Sequence, residues 1–84
     1  MTALEHLRKY PARTLDAPTL RILLRDMTRD LEFHVKALEA LERVPAADYA
    51  GDLDADLLEW RGDVDRLRSA IATVDEELRS RHRL

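Results

Sequence analysis

The chain has 84 residues, enough for one domain, and a domain this small rarely gains more than about 3–5 kcal/mol from its core without a metal, a disulfide or a partner. It contains no Cys, which excludes disulfides and thiolate metal sites, and its net charge of −3 argues against a general nucleic-acid binder. Two Gly, three Pro and 37% charged residues are typical of a helical chain with few turns. We therefore expect an all-α protein that gains stability from self-association.

Residues 3–9 are predicted to form a short N-terminal helix. Thr2 and Glu5 have the spacing of a capping box, in which the threonine hydroxyl accepts a hydrogen bond from the amide at the third helical position. Residues 10–17 are predicted to be a linker, because Pro11 biases the residue before it away from the helical conformation.

The first long helix is predicted over residues 18–44, with Asp16 or Ala17 as its N-cap and Pro18 in its first turn. Large side chains recur along it at alternating spacings of four and three, with one polar member. Such a heptad stripe is typical of a helix that packs along its length on another helix. The stripe consists of Leu20, Leu24, Met27, Leu31, His34, Leu38 and Leu41.

A turn over residues 45–51 is predicted to lead into a second long helix over residues 52–82. Pro45 cannot continue the hydrogen-bond ladder of the first helix, and Gly51 can adopt the positive φ that suits a reversal. The second helix has the same stripe with no polar exception: Leu53, Leu57, Trp60, Val64, Leu67, Ile71, Val74 and Leu78.

The two stripes predict an antiparallel two-helix hairpin of the coiled-coil kind, within a single domain over residues 1–84. A two-helix hairpin leaves one flank of each stripe in water, so either a second copy covers it, giving a four-helix bundle, or the N-terminal segment packs across it. The dimer is the favoured alternative. The residues expected in the core or at the self-association surface are Leu24, Leu31, His34, Leu38, Trp60, Val64, Leu67 and Ile71.

Trp60, Arg61 and Gly62 resemble the W-x-G signature of a family of small secreted helical hairpins. In that family the tripeptide forms the turn between the helices, and a C-terminal motif with a tyrosine and an acid directs secretion. Here the heptad stripe continues through the tripeptide, and no Tyr follows Tyr49. We therefore expect the turn at residues 45–51.

A protein-binding surface is predicted on the side of the first long helix that faces away from its stripe. Ile22 and Phe33 lie on one line there, because a spacing of 11 residues returns to the same side of a helix. Arg25 and Arg29 lie beside this line. Apolar anchors rimmed by arginine are typical of binding hot spots. The alternative is that the N-terminal segment covers Ile22 and Phe33 as ordinary core.

His34 is the polar member of the first stripe and the strongest single candidate for chemistry. It is either a buried switch or metal ligand near Asp30, or a core histidine bonded to that aspartate. The second interpretation is favoured because a metal site needs at least three ligands. The sequence has no Gly-rich phosphate loop and no nucleophile beside a base, so we expect no enzymatic activity, no metal and no cofactor.

The uneven distribution of charge supports two further hypotheses. A small regulator would contact nucleic acid through basic residues that meet at the open end of the hairpin: Arg8, Lys9, Arg13, Arg79, Arg81 and Arg83. An inhibitor or antitoxin-like protein would instead block a basic site with an acidic surface at Asp52, Asp56 and Asp63. The simpler explanation of these acids is that they cap the positive end of the helix dipole.

No segment reaches the ~18–20 apolar residues that cross a bilayer, and the N-terminal residues contain no apolar signal segment. We therefore expect a cytoplasmic protein that acts as a non-catalytic protein-interaction or assembly module. Its expected partners are another protein and a second copy of itself, whereas contact with nucleic acid is disfavoured.

Overall fold

A computed structural model of the chain describes residues 1–82, so the predicted nucleic-acid contact Arg83 lies outside the described residues. The described chain is all-helical, and its two long helices pack against each other as a hairpin whose longest dimension is 55 Å. The predicted helical hairpin is confirmed. In chain order, the elements are α1 (Ala3–Lys9), a 3₁₀ turn (Ala12–Thr14), α2 (Ala17–Glu42), a second 3₁₀ turn (Ala46–Asp48) and α3 (Leu53–His82).

The first two helices begin at the predicted caps. Thr2 Oγ1 accepts a hydrogen bond from the Glu5 amide at 3.2 Å, and Asp16 Oδ1 accepts one from the Thr19 amide at 2.9 Å. The Asp16–Thr19 hydrogen bonding favours the ionised carboxylate and lowers the pKa of Asp16 below its usual 3.8. Residues 10–17, predicted as a plain linker, contain the first 3₁₀ turn.

The second helix ends two residues before the predicted boundary. The Arg43 and Val44 amides donate to carbonyls three residues earlier, at 3.2 and 3.1 Å, so the chain tightens out of the α-helix before it reaches Pro45. The reversal follows, with Gly51 at a φ of 147°. The turn therefore lies where the sequence predicts it.

The third helix runs unbroken through Gly62, so the W-x-G tripeptide lies inside a helix. This differs from the secreted hairpins that the tripeptide resembles, where it forms the turn. The Asp52 carboxylate accepts a hydrogen bond from the Ala55 amide at 3.0 Å and so caps the start of α3. Among the described residues, no helix combines the length and apolarity needed to span a membrane.

The core lies in only one half of the hairpin. We call residues 1–31 and 64–82 the open half, and residues 32–63 the turn half. Every buried side chain of the described residues belongs to the open half, and Leu20, Met27 and Val74 are completely buried. The full set of buried side chains is Leu20, Leu23, Met27, Val64, Leu67, Val74 and Leu78.

The short helix α1 is what covers the open half. Leu4 and Leu7 of α1 pack against the buried cluster formed by α2 and α3. Of the two covers that the sequence allows, the N-terminal segment is therefore present on one flank of the hairpin.

Within residues 1–82, no helix covers the turn half in this way. Its stripe residues are only partly buried, although they repeat the pattern of the open half: His34, Leu38, Leu41, Leu53, Leu57 and Trp60. His34, Leu38 and Trp60, which are expected in the core or at the self-association surface, are therefore only partly buried within the single chain. Val64 and Leu67 are buried as expected, and Leu24, Leu31 and Ile71 are partly buried against the core.

Candidate interaction surfaces

The side of α2 that points away from the core carries two large apolar side chains that are open to solvent. Ile22 is 51% exposed and Phe33 is 65% exposed. Helical geometry places both on one line, opposite the line that contains the buried Leu20 and Met27. The alternative in which the N-terminal segment covers Ile22 and Phe33 is wrong, because α1 packs on the core between α2 and α3 instead.

Two arginines flank this apolar line, and neither is held by a strong partner. Arg25 Nε lies 3.8 Å from Asp26 Oδ1, and both side chains are largely exposed, so this ion pair is weak. Within residues 1–82, Arg29 has no hydrogen bond or ion pair. Both guanidinium groups can therefore donate to a partner. We refer to Ile22, Arg25, Arg29 and Phe33 as the outer face of α2.

His34 packs between aromatic rings and is bonded to the backbone. Its ring centre is 5.2 Å from that of Trp60 and 5.7 Å from that of Phe33. Nδ1 lies 2.7 Å from the carbonyl oxygen of Asp30, and a carbonyl can only accept, so Nδ1 donates the proton. The bond to Asp30 is therefore present, and it goes to the backbone carbonyl of that residue. These contacts support a packing role.

Arg81, predicted as a nucleic-acid contact, ties the linker to the end of α3. One terminal nitrogen of its guanidinium lies 2.6 Å from the Leu15 carbonyl oxygen and 3.3 Å from that of Ala12. Nε donates to Glu77 at 3.1 Å. Because Nε and one terminal nitrogen are bonded inside the chain, Arg81 holds the segment that leads from α1 into α2.

The remaining basic candidates lie in different surroundings. Arg79 is paired with Asp75 at 3.0 Å. Arg8 lines a cleft with Asp65 and Arg66, far from the last turn of α3. Lys9 and Arg13 are exposed. The linker that contains Arg13 thus lies beside Arg81, whereas Arg8 lies against the middle of α3.

All three residues of the predicted acidic surface have partners within the chain. Asp52 caps α3, and Asp63 forms an ion pair with Arg66. Asp56 accepts a hydrogen bond from the Tyr49 hydroxyl, which ties the turn to α3. This bond favours the protonated phenol and raises the pKa of Tyr49 above its usual 10.0.

Two features were missed in the sequence. Leu58 is 72% exposed on α3, and its position off the heptad stripe was the available signal. The structural role of Arg81 had no local signal, because its two carbonyl partners lie 66 and 69 residues away in the chain.

Comparison of the chain with family models, curated proteins and solved structures found no match.

Proposed function

We propose that this chain is a non-catalytic helical module that binds another protein through the outer face of α2. The observation that carries the proposal is the exposure of Phe33, at 65%, on the same line as Ile22 and beside two arginines whose donors are available. The proposal places the protein in the cytoplasm, since a chain without Cys suits a reducing compartment.

The energetics of this face favour association. Covering Ile22 and Phe33 would each contribute up to ~1.5–3 kcal/mol if the side chain became fully buried. Arg29 has no competing partner among the described residues, so its donors bond a partner without breaking an existing contact. A few such anchors dominate the binding energy of most interfaces.

The test is affinity capture from the native lysate with wild-type protein and with Ile22→Ala, Arg29→Ala and Phe33→Ala. Leu58→Ala is the matched control, because Leu58 is also a large exposed apolar residue but lies on α3. We expect a protein partner that wild type and Leu58→Ala retain and that Phe33→Ala loses, with equal helicity by circular dichroism. Equal capture by all variants, or recovery of nucleic acid that salt releases, would contradict the proposal.

Self-association is a second part of the proposed function, and a different surface favours it. Leu31 and Val35 line a shallow, mainly apolar groove on α2, and its edge carries Glu32, Lys36 and Glu39. A two-fold axis at this groove brings Lys36 of one copy towards Glu39 of the other, so the surface is self-complementary.

Light scattering tests this second part. We expect a dimer mass for wild type and for the exposed control Ala72→Glu, and a monomer mass for Val35→Glu. A monomer mass for wild type would contradict self-association. Partner binding by the outer face of α2 would then still be tested by the capture experiment.

A further inference from the structure

A cleft lies where the start of α1 meets the boundary between the open half and the turn half. This cleft is lined by the cap residue Thr2 and by Leu4 of α1, by Asp30 and His34 of α2, and by Asp63 and Leu67 of α3. This cleft fixes the flank of the hairpin on which α1 lies.

The same flank can be followed along both long helices by helical spacing. From Asp30 and His34, steps of three and four residues lead along α2 to Ala37 and Leu41. From Asp63, the same steps lead back along α3 to Trp60, Glu59 and Asp56. Ala37, Leu41 and Trp60 are all partly buried. We call this strip the turn-half groove; it shares no residue with the outer face of α2.

The open half shows what kind of element fits such a strip. There the cover is α1, an amphipathic helix whose Leu4 and Leu7 pack against the core. Its polar residues include Arg8 and Lys9 against one acid, Glu5. The turn half repeats the apolar stripe of the open half, and none of the helices in the described part of the chain lies in the corresponding place.

The charge of the turn half indicates what kind of helix would bind there. Residues 32–63 hold nine acids and three bases, a net charge of −6. The α3 edge of the groove carries Asp56, Glu59 and Asp63. Asp56 is bonded by Tyr49 and Asp63 is paired with Arg66, whereas Glu59 has no ion pair or hydrogen bond among residues 1–82. A basic partner complements this edge, and an acidic one is repelled by it.

We propose that the turn-half groove binds a basic amphipathic helix of another protein, laid in line with α1. The apolar side of the partner helix covers Leu41 and Trp60, and its Lys or Arg side chains pair with Glu59. The bound helix completes in the turn half the three-helix packing that α1 gives the open half.

Trp60 is the only tryptophan in the chain and lies in the groove, so its fluorescence reports occupancy directly. The probe is a synthetic amphipathic helix of leucine and lysine, titrated into the full chain at low and at high salt. We expect a saturable blue shift of Trp60 emission and an affinity that falls as salt rises. A peptide of the same composition, with its leucines spread around the helix, is the control for non-specific attraction and should bind at least about tenfold more weakly.

Two charge reversals distinguish binding in the groove from attraction to the overall negative charge of the turn half. Glu59→Lys changes the edge of the groove, and Asp54→Lys makes the same charge change on another side of α3 in the same half. We expect Glu59→Lys to weaken peptide binding about tenfold and Asp54→Lys to weaken it less than about threefold. Leu41→Ala, which removes apolar surface from the turn-half groove, should also weaken binding.

Several results would overturn the proposal: equal binding of both peptides, equal loss with Glu59→Lys and Asp54→Lys, or unchanged Trp60 emission. A blue shift that appears on raising the concentration of the protein alone would assign the groove to a second copy and would equally overturn it. The outer face of α2 is untouched by these variants, so its capture experiment is independent of this outcome.

Discussion

The open half and the turn half of the hairpin have the same apolar repeat and very different burial. In the open half, Leu20 and Met27 are 0% exposed. In the turn half, Leu41 and Leu57 occupy equivalent stripe positions and are only partly buried. The difference is α1, which packs across the first and not the second. A heptad stripe therefore determines which residues face the neighbouring helix, whereas the packing of a third helix determines whether those residues are fully buried.

The largest expected effect comes from truncating the same residue type in the two halves. Leu20→Ala should lower the free energy of unfolding by ~2–5 kcal/mol, because it removes a completely buried side chain and leaves a cavity. Leu41→Ala should cost about 1 kcal/mol, since water already reaches this side chain. Urea denaturation of the two variants measures both values, and equal losses would break the distinction between the halves.

Removing the hydrogen bonds by which α3 holds the linker between α1 and α2 is expected to have the next largest effect. Arg81→Ala deletes the hydrogen bonds to the Leu15 and Ala12 carbonyls and should cost ~1.5–3 kcal/mol. Arg79→Ala removes an exposed pair with Asp75 and should cost no more than ~0.5 kcal/mol. Thermal unfolding followed by circular dichroism compares them, and a neutral Arg81→Ala would show that the linker is held by other contacts.

The two glycines of the turn half should respond to alanine in opposite directions. Gly62→Ala should stabilise the protein by ~0.5–1 kcal/mol, because an alanine favours the helix and its methyl group meets only the flexible Arg66 guanidinium, at 3.4 Å. Gly51→Ala should cost about 1 kcal/mol or more, because Gly51 has a φ of 147°. Urea denaturation checks the signs, and destabilisation by Gly62→Ala would point to a close contact that the single chain does not show.

The smallest effect concerns the tie between the turn and α3. Because the Tyr49–Asp56 bond raises the pKa of Tyr49, it stabilises the fold below the tyrosine's ordinary pKa of 10.0. That contribution is lost as the pH rises through the folded-state pKa. An absorbance titration of a Tyr10→Phe variant, in which Tyr49 is the only tyrosine, should show ionisation above 10.0. Adding Asp56→Asn should move it back towards 10.0, and no difference between the two would mean that the bond does not form.

Much of the fold follows from local signals in the sequence. The caps at Thr2 and Asp16 and the reversal at Gly51 each depend on neighbouring residues alone, and all three are observed. The uneven burial of the stripe could not be predicted in the same way. It depends on where α1 lies, and that is set by contacts distant in sequence, such as those of Arg81 with the linker.

The candidate surfaces show the same difference between features that local sequence predicts and features that it does not. The exposure of Ile22 and Phe33 follows from helical geometry and was predicted as one of two outcomes. The hydrogen bond from Tyr49 to Asp56 and the ion pair between Arg66 and Asp63 were not predicted. Such side-chain pairs depend on rotamers, which the spacing of residues in the sequence does not fix. The turn-half groove became visible only once the extent of α1 was known.

Native-state hydrogen exchange tests the contrast between the halves most directly. In the isolated protein, amides of α2 near Met27 and of α3 near Val74 should exchange only through global unfolding, whereas those near Leu41 and Leu57 should exchange much faster through local opening. Equal protection along both long helices, at a concentration where light scattering shows a monomer, would contradict the account.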